Sequence, residues 1–259
     1  MAYNLHILLA EDSLVNQKLP VALLEEQGHK VTVANNGREA IAALQTEKFD
    51  MVLMDVQMPE MDGLEATEKI RASEQHTGTH IPIIAMTAYA LKGDRERCMA
   101  AGMDGYIAKP IHVNELFNVI DGLFAATAEH AEQPVPEMAA EEIVNWNEAL
   151  QVVRGNAHLL RTVVDAELVE MPRLMEAVRQ AVADGDANGL RMAAHTLKGS
   201  LRYFGKTMAF EEVLRLEKMA QDGSLAEAGV SLATLESEIL RIVQVLQEYL
   251  QRNPMSNDS

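Results

Sequence analysis

A single cysteine, Cys98, stands among 259 residues, so no intrachain disulfide can staple the fold. Its plainest role is that of a small buried hydrophobe. Aromatic residues make up only 4% of the chain, so any core must be filled by aliphatic side chains and the 15 methionines. Basic residues are also scarce, 22 against 39 acids, for a formal net charge of −17. The acidic excess is present in both halves of the chain, and a nucleic-acid phosphate backbone would be repelled by either one, which argues against direct binding. The longest apolar stretch, Ile81 to Leu91, contains Thr87 and is far too short to cross a bilayer. The N-terminus passes from four apolar residues into Glu11 and Asp12, which is not the pattern of a signal peptide. A soluble cytoplasmic protein is expected. There is no Cys/His cluster for structural zinc and no nucleophile-elbow serine. The stretch GSLRYFGKT, residues 199–207, imitates a phosphate-binding loop, but five residues separate its glycines where four are needed.

Short apolar runs alternate with helical patterns through the first half. Strands are expected at Leu5–Ala10, Lys30–Ala34, Asp50–Met54, Ile81–Met86 and Gly105–Ala108. Helices are expected at Val15–Gln27, Gly37–Thr46, Leu64–Ser73, Gly93–Ala101 and Val113–Phe124, with Pro20 marking a kink or an early-turn position in the first. Five strand-then-helix units predict an α/β doubly wound, flavodoxin-like, five-stranded parallel sheet with helices on both faces.

The polar residues fall where each strand ends. The first strand ends on Glu11 and Asp12, the third on Asp55, the fourth on Thr87 and the fifth on Lys109, so all lie at the carboxyl edge. Three carboxylates gathered there repel one another by about 4 kcal/mol per pair at ~4 Å for an effective dielectric near ~20. A hard divalent cation removes that cost, and Mg²⁺ suits a site of few carboxylates, waters and phosphate oxygens. Thr87 can donate a hydrogen bond and Lys109 supplies a fixed positive charge. The set fits an aspartate that accepts a phosphoryl group. A plain acidic metal site accounts for the acids but leaves Thr87 and Lys109 idle.

From Ala125 to Glu142 the composition turns to Ala, Glu and Pro, as in a solvated connector. Beyond it, helical patterns at Trp146–Val153, Ala157–Ala183, Ala187–Phe204, Lys206–Gln221 and Ser231–Leu250 are separated by Gly155, Gly185, Gly205 and Gly223. They predict an all-α up-and-down bundle of four long helices and a short leading one. Leu190, Ala193, Ala194, Leu197, Leu201 and Phe204 form the buried stripe of one helix, with His195 off its centre and Lys198 one turn on.

With ILLAED, LMDVQMPEMDG, AMTAYA and YIAKP in order, residues 4–125 resemble the receiver domain of two-component response regulators. The resemblance implies that Asp55 is the phosphoacceptor. It makes Asp12, Asp55 and the backbone carbonyl of Gln57 ligands of Mg²⁺, with Glu11 holding a metal-bound water. It gives Thr87 the phosphoryl oxygen, makes Lys109 its ion-pair partner, places Tyr106 at the aromatic switch position, and predicts a cis Lys109–Pro110 bond. Glu11, where Asp is more frequent, and Pro20 are departures that leave the chemistry intact. The segment AHTLKGS, in turn, resembles the active-site helix of histidine phosphotransfer domains, over about residues 140–250. It implies that His195 is phosphorylated, that Lys198 counters the phosphoryl charge and that Ser200 supports the site.

Together the two resemblances imply a phosphorelay protein, arranged as at the C-terminus of hybrid sensor histidine kinases. A receiver at 1–125, a linker at 126–142, a histidine phosphotransfer bundle at 143–252 and a disordered tail at 253–259 are expected. The implied partners are a histidine kinase and a downstream response regulator or receiver. No ATP-binding pattern is present, so the relay begins elsewhere, and the chain is either the tail of a longer kinase or a free-standing intermediate. Both Asp55 and His195 are expected to be exposed. Two other readings stay open: a binding module that uses the same two folds without phosphorylation, and a Mg²⁺-dependent phosphohydrolase, for which no substrate pocket is evident.

Overall fold

A computed structural model describes residues 4–87, 92–124 and 143–253. The chain divides into two compact units, Met1–Pro136 and Glu137–Ser259. In the first, β1 (His6–Ala10), β2 (Lys30–Ala34), β3 (Met51–Asp55), β4 (Ile83–Thr87) and β5 (Gly105–Ala108) pair in parallel in the order β2-β1-β3-β4-β5. Between and after them come α1 (Leu14–Glu26), α2 (Gly37–Thr46), α3 (Gly63–Thr77), α4 (Lys92–Ala101) and α5 (Val113–Phe124). Every residue of β3 and β4 is buried, which is why these strands read as unbroken apolar runs. Leu8, Ala10, Val52, Met54, Ile83 and Ala85 pack with Ala40, Ala66, Ile70 and Cys98 in one core. Ile7, Leu9, Met51 and Leu53, of opposite parity, are equally buried, so the sheet is covered on both faces.

Local signals explain the helix boundaries. Ser13, Asn36 and Asp62 cap α1, α2 and α3, each accepting a backbone N–H three residues on. Helix α3 runs four residues past the expected Ser73 and stops at Gly78, in the left-handed region with φ 68°. Pro20 lies in the middle of α1 and is buried; the helix continues through it although one backbone donor is lost. Residues 88–91, which carry the last part of the AMTAYA motif, lie outside the described residues, as do the expected linker and all but Asn253 of the expected tail.

The second unit is helical: α6 (Trp146–Val152), α7 (Ala157–Asp184), α8 (Ala187–Leu201), α9 (Met208–Gln221) and α10 (Ala228–Arg252). Each of the four long helices packs on the next, and α10 closes back on α7. Asn156, Asp186 and Thr207 cap α7, α8 and α9. Helix α8 ends at Leu201 rather than Phe204, because Arg202–Phe204 tighten into a 3₁₀ turn before Gly205. Leu160, Val163, Leu197, Leu201, Phe204, Val213, Leu235 and Leu246 are among the side chains that fill the bundle.

Candidate functional site

Strand register sets the first site. Ala10 pairs with Met54, Asp55 with Met86 and Thr87 with Ala108, so Glu11, Asp55, Thr87 and Lys109 leave the sheet at one edge. Lys109 Nζ lies 2.7 Å from Asp55 Oδ2 and 2.5 Å from Glu11 Oε2. Ligand oxygens of Glu11, Asp12 and Asp55 all fall within 4.8 Å of one another. Asp55 Oδ1 accepts the backbone N–H of Gln57 at 3.2 Å. The backbone N–H of Lys109 donates to the Thr87 carbonyl at 2.8 Å, joining β4 to the loop that carries the lysine. The Lys109–Pro110 bond is cis. Tyr106 is partly buried on β5, with the Arg95 guanidinium 5.2 Å from its ring centre.

Burial dominates the electrostatics here. It pushes the Glu11 carboxyl up to about 7, against the pull of Lys109, and it raises Asp55 in the same way. Burial also works to lower Lys109, but Asp55 and Glu11 outweigh it and hold the ammonium above its usual range. One lysine faces three acids, a balance that a divalent cation would complete. Among the buried acceptors without a hydrogen-bond donor among the described residues are Gln57 Oε1, in the loop after Asp55, and Asn16 Oδ1, on the amide that touches Glu11. A hydrated cation brings the O–H groups such oxygens need, so the donor set fits one.

The second site stands on α8 and α9. His195 Nδ1 lies 2.7 Å from Glu217 Oε1, and Lys198 Nζ lies 2.5 Å from Glu217 Oε2. One carboxylate therefore holds both side chains. A carboxylate only accepts, so in the neutral ring Nδ1 carries the proton and Nε2 the lone pair. The hydrogen bond from His195 and the charge of Lys198 overcome the effect of burial and bring Glu217 down to about 2.

Exposure differs from expectation. Asp55 is 3% and His195 7% exposed. Each is enclosed by polar partners rather than sealed in apolar side chains: Lys109 and the Gln57 amide for one, Glu217 for the other. Ser200 turns inward, its hydroxyl 3.0 Å from Glu167 on α7 and 3.1 Å from the Leu197 carbonyl. It belongs to the bundle's interior, because five residues along a helix carry it well round from His195.

Glu217 and Asn16 escaped the sequence reading. Glu217 falls on the same stripe as Val213 and Ala220, and an acid on an apolar helical stripe is the signal that marks it. Asn16 sits three residues after the Ser13 cap and carries no comparable mark.

Residues 7–121 match the family model of the response regulator receiver domain, and residues 163–251 match that of the Hpt domain. This chain is a receiver domain followed by an Hpt domain. Sensor histidine kinase GacS of Pseudomonas protegens is 36% identical over 244 residues, 91% of this chain and 26% of the relative. Signal transduction histidine-protein kinase BarA of Escherichia coli K12 is 30% identical over 243 residues, 92% of this chain and 26% of the relative. The receiver–Hpt chain thus spans about a quarter of the length of these relatives. The crystal structure of the receiver domain of sensor histidine kinase PA1611 from Pseudomonas aeruginosa PAO1, with magnesium in its active-site cleft, is 43% identical. It covers 46% of this chain and 96% of its own, with a TM-score of 0.42. A complex of Saccharomyces cerevisiae Ypd1, a histidine phosphotransfer protein, with the receiver domain of Ssk1 is 26% identical. It covers 47% of this chain and 89% of that one, with a TM-score of 0.46. Among the described residues no helix is long and apolar enough to cross a membrane.

Proposed function

We propose that the chain carries phosphoryl groups in a phosphorelay, accepting them on Asp55 and transferring them through His195. The observation that carries this reading is the placement of Asp55 Oδ2 against Lys109 Nζ at 2.7 Å inside the Glu11, Asp12 and Asp55 cluster. A carboxylate oxygen of Asp55 attacks the phosphorus of a phosphohistidine on a partner kinase. The P–N bond breaks, its electron pair and a proton end on the imidazole, and an acyl phosphate forms. Lys109 and Thr87 stand at the sheet edge to receive the phosphoryl oxygens. Asp12, Asp55 and the Gln57 carbonyl would hold Mg²⁺, with Glu11 reaching it through water. Bound there, the ion supplies the charge that lets an anionic carboxylate meet an anionic phosphoryl group.

At the bundle, His195 Nε2 attacks the phosphorus of an aspartyl phosphate, and the carboxylate leaves. Glu217 takes the hydrogen bond from Nδ1 and stabilises the positive charge that develops on the ring. Lys198, on the same carboxylate, adds a cation near the incoming group. The partners on this reading are a histidine kinase and a response regulator or a second receiver, and the setting is the cytoplasm, which a buried cysteine in no disulfide suits.

Incubation with acetyl phosphate and Mg²⁺, followed by intact-mass measurement, tests the reading. One phosphoryl adduct is expected, absent in Asp55→Ala. His195→Gln is expected to keep the Asp55 adduct but to block transfer through the bundle. Mg²⁺-dependent labelling of Asp55→Ala, or onward transfer through the bundle of His195→Gln, overturns it. No adduct at all would leave the binding-module reading, and turnover of a chromogenic phosphate ester would favour a phosphohydrolase.

A further inference from the structure

Asn16 is 3% exposed, on the first turn of α1 directly beneath the acidic edge. Its Nδ2 donates to Glu11 Oε1 at 3.1 Å, and the backbone N–H of Ser13 reaches the same oxygen at 3.2 Å. Glu11 Oε1 is thereby occupied by two donors, which leaves Oε2 as the oxygen beside Lys109, 2.5 Å from Nζ. The orientation of the amide is fixed by chemistry, since only its NH₂ end can donate to a carboxylate. Oδ1 consequently points away from Glu11 Oε1, and it is buried without a donor among the described residues.

A buried carbonyl left without a donor keeps its full desolvation cost, and buried amides are rarely left so. When ionised, the carboxylates of Glu11, Asp12 and Asp55 only accept, so they offer Asn16 Oδ1 no proton. A water bound to a cation is a donor of the right kind, and Mg²⁺ keeps several of its waters when few carboxylates hold it. We propose that Asn16 is a positioning residue of the cation site, fixing Glu11 through Nδ2 and accepting a cation-bound water at Oδ1. This rests on the cation reading above. It assigns Asn16 a function that packing alone does not give, since a leucine of similar size would fill the same space.

The two ends of the amide predict opposite outcomes for two substitutions. Asn16→Leu removes donor and acceptor together. In the full-length chain its Mg²⁺ Kd, by isothermal titration calorimetry, should rise about tenfold or more, the usual effect of losing an outer partner of a metal site. The increase in melting temperature that Mg²⁺ gives the native protein should shrink to match. Asn16→Asp keeps an acceptor but adds a fourth carboxylate. It should be less stable than the native protein without Mg²⁺ and gain a larger increase with it.

A residue that only packed α1 would lower stability equally with and without Mg²⁺, and the increment would not move. Native Mg²⁺ binding with a Kd for Asn16→Leu within twofold of native overturns this inference alone. No binding of Mg²⁺ to the native chain overturns the cation reading and this inference with it. If Asn16→Leu fails to fold by circular dichroism, Asn16→Asp decides: a larger Mg²⁺ increment supports the assignment, and an unchanged or smaller one overturns it.

Discussion

Glu217 binds His195 and Lys198 with its two oxygens, at 2.7 and 2.5 Å, so the imidazole and the ammonium of α8 are both oriented from α9. Glu217→Ala removes the acceptor that keeps Nδ1 protonated and takes from the buried Lys198 its ion pair with Glu217. A hydrogen bond to a charged group is worth about 1.5–3 kcal/mol, so phosphotransfer through His195 should slow by roughly 10- to 150-fold. Glu217→Gln keeps an acceptor for Nδ1 and should retain most of the rate. Rapid-quench transfer from a phosphorylated receiver distinguishes the two variants, and equal losses in both would refute the orienting role.

The same residue sets an acid limit for the bundle. Its carboxyl is held near 2 when folded, below the ordinary value of 4.5, despite the opposing effect of burial. The folded state therefore binds fewer protons than the unfolded one between those values. Stability from this group is complete above about pH 4.5 and is lost as pH falls toward 2. Urea titrations followed by Trp146, the chain's one tryptophan and a residue of α6, should show Glu217→Gln losing less stability than the native protein across that interval. Parallel curves would contradict it.

Much of this architecture can be read directly from residue order. Unbroken apolar runs such as MVLM predict strands buried on both faces, and Gly155, Gly185, Gly205 and Gly223 stand just past helix or turn ends at positive φ. Asp55, Thr87 and Lys109 are legible because each terminates such a run. The partners are less so. His195 meets a carboxylate 22 residues away, and Ser200 meets one 33 residues away, distances at which periodicity gives the face of a helix but not which residue of the next helix it meets. The burial of Asp55 and His195 is not legible in sequence for a related reason: a strand end and a helix flank say nothing about the polar groups folded over them.

Lys109 is nine-tenths or more buried between two acids, and its removal leaves Asp55 and Glu11 facing each other without a cation. Breaking a buried pair by deleting one member costs about 3–5 kcal/mol. Lys109→Ala should accordingly melt well below the native protein in EDTA and recover part of the difference when Mg²⁺ is added. Scanning calorimetry of the receiver transition measures both steps. A variant as stable as the native protein in EDTA would show that the lysine contributes no net stabilisation there.

Glu167 is a different kind of buried acid. It lies on the apolar stripe of α7 with Leu160, Val163, Met171 and Leu174, fully buried, with the Ser200 hydroxyl 3.0 Å from Oε1. The Ser200 hydroxyl has one proton and two acceptors in reach, Glu167 and the Leu197 carbonyl. A protonated Glu167 resolves the conflict by donating to Ser200 while Ser200 donates to Leu197. Burial pushes this carboxyl up to about 8, the Ser200 hydrogen bond opposing it and neighbouring Glu170 adding to it. The folded state holds the proton after the unfolded state has lost it, so stability falls as pH rises from about 4.5 to 8. Glu167→Gln should match the native protein near pH 4.5 and exceed it above pH 8 by a few kcal/mol, on the order of 3–5 by linkage. Urea titrations across that range give the difference directly, and a gap that does not widen with pH would mean the carboxyl is already ionised at neutrality.

Gly63 shows how tightly the acceptor loop is built. A Cβ placed there would sit 2.0 Å from the Asp55 carbonyl oxygen and 2.9 Å from Met54 Cγ. The Gly63 N–H donates to the Val56 carbonyl at 3.1 Å, and α3 begins at this residue under the Asp62 cap. The chain therefore folds back onto the end of β3 with room for hydrogen alone. Gly63→Ala must push the start of α3 away from Asp55 or distort Asp55 itself, because the closest obstacle is the Asp55 backbone, and movement of the Met54 side chain alone does not relieve it. Overpacking of this kind costs about 1–3 kcal/mol, occasionally more. The receiver transition should shift down by that amount, and acetyl phosphate labelling of Asp55 should slow even in molecules that remain folded, because its carboxylate no longer meets Lys109 at 2.7 Å. Labelling at the native rate in a destabilised Gly63→Ala protein would show that the backbone relaxes away from the site and that the close approach serves packing only.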